Sequence, residues 1–194
     1  MRYISPFRMF RKNKVALIIH GYGVNYNECF YPWLKNRLEK LGYKVELPDL
    51  PNSQEPNIND QVNFILKNYP DKKNIIIGHS LVACTAMKIV EKINYKIDSL
   101  FLISGFIDCN FSNTSDEEHE ILLKSCDWKF NFDDIKSKSD VYILRPEIDS
   151  EVNLKQTEEM AKAFNVPINF FESIEDHACG EEEPEIFKFI KNNI

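Results

Sequence analysis

The chain has 194 residues, of which 43% are hydrophobic and 28% charged, and a formal net charge of -6. That composition suits a packed core and excludes a compositionally disordered chain, and the acidic balance argues against a nucleic-acid-binding surface. No apolar stretch approaches the roughly 18 residues that cross a bilayer, so no membrane association is expected, and the length suits one domain.

Residues 1–14 carry Arg2, Arg8, Arg11, Lys12 and Lys14 and no acid, which leaves -11 on the remaining residues. This basic arm reads as a solvated or loosely docked terminus. With Phe7, Met9 and Phe10 it also fits a short organelle-targeting stretch. Residues 15–194 then form the single folded domain. Val15–Ile19 is a compact apolar run ending in His20-Gly21, the pattern of a buried strand. Tyr31, Leu34, Leu38 and Leu41 are spaced as one helix face, and Gly42 stops that helix. Tyr43–Leu47 is a second strand, closed by Pro48 and Pro51. Ile58, Val62, Ile65 and Leu66 mark another helix. Asn74–Ile77 is a third strand, and Leu81 to Ile93 is helical. Ser99–Ile103 and Val141–Leu144 are the next strands, with Leu154 to Phe164 helical. Ile168–Phe171 is the sixth strand, and Pro184 to Ile194 closes the chain as a helix with proline in its first turn.

Strands alternating with helices imply right-handed crossovers and a mostly parallel sheet of about six strands, with helices on both faces. One connection breaks the rhythm. Gly105 to Lys138 is long and polar, with Asp116, Glu117, Glu118 and Glu120 clustered and Trp128, Phe130 and Phe132 near its end. It reads either as a pocket wall or as a surface excursion pinned by those aromatic rings.

In such a sheet the chemistry belongs at the C-terminal ends of the strands. After the third strand comes Gly78-His79-Ser80-Leu81-Val82. A serine at a sharp strand-to-helix turn has its hydroxyl raised above the sheet edge, and the following helix N-terminus favours developing negative charge. The alternative for Ser80 is a plain helix cap. The pattern wanted is G-x-S-x-G, and Val82 occupies the last position. A β-branched side chain there requires a locally widened gap or a relaxed turn. After the fifth strand comes Arg145-Pro146-Glu147-Ile148-Asp149-Ser150-Glu151-Val152, and after the sixth comes His177. Serine, acid and histidine, in that order and each on a different post-strand loop, is the order of nucleophile, orienting carboxylate and general base in an α/β-hydrolase. His79 is expected to point away from Ser80, His119 to be solvated, and His20 to pack in a turn. Donors for an oxyanion are expected from the backbone N–H of Leu81 and from the loop His20-Gly21-Tyr22-Gly23, through Tyr22.

These segments resemble a known family: the small serine hydrolases grouped with retinoblastoma-binding protein 9 and the bacterial YdeN-like proteins. The resemblance runs from about Val15 to Ile190. It is carried by IIHGYG (18–23), FYPWLKNRLEKLGYKVELPDLPN (30–52), IIIGHSLVA (75–83), the DWKFNFDDIKSKSDVYIL stretch (127–144), Asp149 to Val152, and His177. It implies a compact α/β-hydrolase fold without a large lid domain, and a triad on Ser80, Asp149 and His177. Val82 and Asp176 stand where the family usually has glycine. The L-x-C-x-E motif is absent, so no retinoblastoma-protein partner is implied.

The function expected is therefore a serine hydrolase acting on small carboxylic esters or amides through an acyl-enzyme. The rival is a catalytically silent hydrolase-like binding module whose elbow is altered at Val82. A nucleotide-binding fold is disfavoured, because His20-Gly21-Tyr22-Gly23 is not G-x-G-x-x-G. Asn25, Tyr26, Phe106 and Trp128 are candidate pocket residues, with Tyr22 and Cys29 beside them. No metal or nucleotide cofactor is expected. The acids Glu181, Glu182, Glu183 and Glu185 are read as a helix first turn. Five cysteines at 29, 84, 109, 126 and 179 form no CxxC pair. They suit a reducing compartment, hence a cytoplasmic location, better than a disulfide framework, and Cys29 and Cys179 are expected as small buried hydrophobes.

Overall fold

The computed structural model describes residues 14–108, 120–123 and 129–194. Most of the basic arm, together with His119, Trp128, Cys109 and Cys126, lies outside the described residues. Lys14 is instead the first residue of a strand.

Six strands form one parallel sheet: β1 (Lys14–Ile19), β2 (Tyr43–Glu46), β3 (Ile75–His79), β4 (Ser99–Ile103), β5 (Asp140–Pro146) and β6 (Ile168–Phe171). Their spatial order is β2-β1-β3-β4-β5-β6. Each expected strand is present. β5 runs further than its apolar core suggests, because Arg145 and Pro146 stay paired with Phe170 and Phe171. The central strands are covered on both sides, which is why they read as unbroken apolar runs.

The helices are α1 (Tyr31–Lys40), α2 (Ile58–Asn68), α3 (Val82–Lys92), α4 (Phe132–Lys138), α5 (Leu154–Phe164) and α6 (Pro184–Asn192). The α2 and α5 starts are fixed by side-chain caps. Asn57 accepts the Asp60 N–H, and Asn153 and Gln156 form a reciprocal capping box. Helix α4 lies at the end of the long connection, and apolar spacing does not announce it.

Alternate strand residues feed two separate cores. Leu17 and Ile19 of β1, with Leu100 and Leu102 of β4, pack against α2, α3, α4 and α5 through Val62, Met87, Ile135 and Phe164. Ala16 and Ile18, with Phe101 and Ile103, pack against α1 and α6 through Leu34, Leu38, Ile186 and Ile190. This split follows from the strand order. The path from β1 to β2 runs one way and every later crossover runs the other, so right-handedness puts α1 on the face opposite α2 to α5. The helices that follow β1 and β3 therefore leave on opposite faces, the switch point beside which sites in such sheets are built.

Candidate active site

Ser80 sits between β3 and α3 with φ of 59°, a left-handed conformation that L-residues avoid. Its N–H is held by the Ile103 carbonyl of the neighbouring strand at 2.9 Å, and its carbonyl accepts the Ala83 N–H at 3.0 Å. Gly78 makes this turn possible. A β-carbon there would lie 2.9 Å from both Ala86 Cβ and the Val82 carbonyl oxygen. Val82 itself is 1% exposed and buried in the core shared with α2. The branched side chain is thus taken up by the core, and the sharp turn at Ser80 remains. Leu81 is the N-cap residue of α3, which has no side-chain cap.

The loop after β1 passes over the serine. A β-carbon on Gly21 would stand 3.6 Å from Ser80 Cβ. Both polar groups of Gly21 are secured. Its N–H donates to the Tyr31 hydroxyl at 2.9 Å, and its carbonyl lies 3.1 Å from His20 Nδ1. His20 Nε2 accepts the Leu50 N–H at 2.9 Å, so Nδ1 carries the proton and donates to Gly21 O. That carbonyl belongs to the same trans peptide as the Tyr22 N–H, which therefore points the opposite way. His20 is more than turn packing: it sets the orientation of the amide expected as an oxyanion donor. Burial keeps it neutral by lowering its pKa.

The acid and the histidine meet. Asp149, in the loop after β5, has a fully buried side chain, and its Oδ1 lies 2.9 Å from His177 Nδ1. The same oxygen accepts the backbone N–H groups of Glu151 and Val152 at 3.1 and 2.9 Å. Burial by itself raises the Asp149 pKa. The His177 bond and charge, the Val152 amide and Arg145 outweigh it and hold the carboxyl below its ordinary value. With Asp149 on Nδ1, the proton of His177 sits there and Nε2 is left as an acceptor.

His177 and Ala178 both adopt positive φ, 53° and 54°, within a short 3-10 turn, and such strain needs bracing. The histidine loop has three braces that sequence reasoning missed. Asp176 bonds Ser150 and the His177 N–H. Glu183 is fully buried and accepts from Ser173 Oγ at 2.8 Å and from the Ile174 and Gly180 N–H groups at 3.3 Å each, so its role differs from that of a first-turn acid. The third brace corrects the cysteine reading: Cys29 and Cys179 are joined in a disulfide, with Cα atoms 4.5 Å apart, that ties the β1 loop to the histidine loop. Arg145 was also unforeseen. It is 4% exposed, bonds Thr157 Oγ1 at 3.1 Å and stands 3.7 Å from Asp149 Oδ2. An arginine four residues before the acid was the available signal.

Of the candidate pocket residues, Phe106 is brought to the site. It joins Leu81, Leu122, Val152 and Tyr22 in a small apolar cluster set apart from the two main cores. Asn25 is not brought there. Its side chain and N–H are engaged in a local turn with Glu28. Tyr26 lines a different groove of about 600 Å³ with Lys35, Leu47 and Pro70. Among the described residues, no group of three or more His, Cys, Asp or Glu is arranged to hold a metal ion. Nor is any described helix long and apolar enough to cross a membrane.

The fold agrees with comparison to known proteins. A family model described as the alpha/beta hydrolase fold matches residues 15–140, and the chain belongs to that family. Within it, the chain is similar to YdeN. It is 26% identical over 97 residues to the YdeN protein of Bacillus subtilis (strain 168), a match that spans 48% of this chain and about half (51%) of that relative. The crystal structure of the B. subtilis ydeN gene product superposes with a TM-score of 0.78 at 19% identity, covering 93% of this chain and 98% of that one. Est1E from Butyrivibrio proteoclasticus gives a TM-score of 0.69 at 14% identity, covering 93% and 86%. A carboxylesterase structure from the ammonia-oxidizing thaumarchaeon Nitrososphaera gargenis gives 0.64 at 12%, covering 93% and 89%. At these identities the structural likeness is one of fold.

Proposed function

We propose that the protein is a serine hydrolase of small carboxylic esters or amides, acting through Ser80, His177 and Asp149. One observation carries the reading: Asp149 Oδ1 accepts the His177 Nδ1–H at 2.9 Å, leaving Nε2 free of that bond to serve as the base, on a loop whose His177 carbonyl is held by His79, the residue before Ser80. Ser80 Oγ attacks the substrate carbonyl and gives its proton to His177 Nε2. Asp149 holds the ring tautomer and offsets the imidazolium charge. The N–H groups of Leu81 and Tyr22 receive the oxyanion; losing one such donor costs about 3 kcal/mol of barrier. His177 then protonates the leaving alcohol or amine. Water, deprotonated by the same nitrogen, attacks the acyl carbonyl, and His177 then gives that proton to Ser80 Oγ as the carboxylic acid leaves.

The substrate's acyl part is apolar and small in this reading, since the side chains around Leu81 are Tyr22, Phe106, Leu122 and Val152. The chemistry uses a hydroxyl, an imidazole and a carboxylate and calls for no cofactor. The partner is a small molecule, with no nucleic acid or membrane involved. Disulfides persist mainly in oxidising compartments, so the Cys29–Cys179 pair does not support the cytoplasmic location expected from the cysteine count.

The silent-module alternative rests on Val82 spoiling the elbow. Burial of Val82 together with the retained φ at Ser80 favours the catalytic reading. Labelling with a fluorophosphonate probe tests it. Covalent labelling that vanishes in Ser80→Ala is expected. Labelling that persists in Ser80→Ala assigns the nucleophile elsewhere, and none in the native protein returns the silent module.

A further inference from the structure

The loops after β1 and β6 are joined beneath Ser80 by buried polar side chains that the proposed chemistry does not use. Tyr31, on the first turn of α1, is fully buried. Its hydroxyl accepts the Gly21 N–H at 2.9 Å and lies 2.6 Å from His79 Nδ1. The other nitrogen of that ring, His79 Nε2, lies 2.8 Å from the carbonyl oxygen of His177. A carbonyl can only accept, so Nε2 carries the proton. A neutral ring then has a bare Nδ1, and the Tyr31 O–H donates to it. Burial, and after it the nearby His177, pushes the His79 pKa down to about 3, which keeps the ring neutral. Every donor is thereby assigned. Gly21 N–H donates to Tyr31 O, Tyr31 O–H to His79 Nδ1, and His79 Nε2–H to His177 O.

We propose that Tyr31 and His79 are positioning residues of the hydrolysis, forming a one-way hydrogen-bond relay that fixes the spacing between the oxyanion loop and the base loop. The inference rests on the serine-hydrolase reading above. Packing alone does not require the relay. Tyr31 lies among Phe30, Leu34 and Leu38 in an apolar core, where a phenylalanine of the same shape would fill the space. Buried polar groups are costly unless paired, and a relay with one member removed leaves two groups unpaired. The groups at its two ends are the ones whose mutual placement matters. One end is the residue before the Tyr22 amide, and the other is the backbone of His177. An error of about 1 Å in such placement costs on the order of a hundredfold in rate.

The test compares kinetics with fold. In Tyr31→Phe, hydrolysis of a short-chain p-nitrophenyl ester is expected to lose roughly tenfold to a hundredfold in kcat, with KM within about twofold. His79→Leu should show the same split. His79→Gln, whose amide can donate to His177 O and accept from Tyr31, should recover most of the rate. Thermal melting that drops in Tyr31→Phe while kcat is intact overturns the proposal, because that is what a merely structural bond gives. Nitrogen NMR of the native imidazoles keeps the idea testable should the variants fail to fold. A bare Nδ1 and a protonated Nε2 on His79 between about pH 5 and 8 are expected, and a proton on Nδ1 breaks the relay and sinks it. Ser80→Ala run in parallel separates the two readings. Activity surviving in Ser80→Ala defeats the hydrolase assignment, whereas activity lost in Ser80→Ala but full in Tyr31→Phe defeats the relay alone.

Discussion

Asp176 grips Ser150 with both carboxylate oxygens. Oδ1 accepts the Ser150 N–H at 3.0 Å, and Oδ2 takes its hydroxyl. Oδ1 also accepts the His177 N–H at 2.8 Å. Ser150 directly follows Asp149, so one carboxylate couples the loop of the candidate acid to the loop of the candidate base. The Ser150 hydroxyl, with help from both amides, holds the Asp176 pKa below its ordinary value.

Replacing Asp176 by alanine should release that coupling. Turnover is expected to fall about tenfold, since the Asp149–His177 pair then samples more than one spacing. The fold should survive, because Asp176 is exposed. Steady-state kinetics beside a near-UV circular dichroism spectrum measures both, and unchanged kcat would assign Asp176 a local turn role only.

Val82→Gly restores the pentapeptide glycine and separates two accounts of the elbow. It empties a buried site in the core and puts glycine into α3, a loss of about 3 kcal/mol in stability. Fluorophosphonate labelling is expected to continue at the native rate in the folded variant. A native protein that is silent and a Val82→Gly variant that labels would show that the branched side chain had blocked the site after all.

Reducing the Cys29–Cys179 disulfide, or replacing Cys29 by serine, should destabilise the protein. The bridge closes a loop with a sequence separation of 150, for which chain entropy gives about 5 kcal/mol. Because Cys179 lies two residues past His177, turnover should fall as well. Urea midpoints with and without a phosphine reductant measure the first effect. Equal midpoints would show that the thiols are not bonded in solution.

Stability should decline on mild acidification. His79 has its pKa lowered to about 3 in the folded state against about 6.5 unfolded. The unfolded chain therefore binds a proton that the native ring refuses. The stabilising effect of the neutral ring is complete above about pH 6.5 and is lost as pH falls toward about 3, at up to about 1.4 kcal/mol per pH unit. His20, also lowered by burial, acts in the same direction. Urea titrations between about pH 7 and 4 should show this slope, flattened in His79→Gln.

Much of the fold was legible because the strands of a doubly covered sheet are short apolar runs, and helices with one buried stripe repeat at 3.6 residues. Helix α4 escaped for a definite reason. Its seven residues include one buried side chain, Ile135, too few to set a period. The signal it did carry was the Asn131 cap, three residues before Asp134. Ser80, Asp149 and His177 were readable as positions, since post-strand loops follow from strand boundaries. The polar supports were not: Tyr31, His79, Arg145 and Glu183 resemble ordinary core or surface residues until their partners are known. The Cys29–Cys179 bond was hidden likewise, because no local spacing marks a pair so distant in the chain.

By itself, the sequence determined the number and kind of elements and which loops share the C-terminal edge of the sheet, because helix and strand periods are written over four to twelve neighbouring residues. Only the tertiary structure decided that His177 Nδ1 faces Asp149, that Val82 is absorbed by the core beneath Ser80, and that Tyr31 and His79 join two loops. Those pairings depend on strand register and on side-chain directions set by packing between distant segments, and a linear order of residues does not contain them.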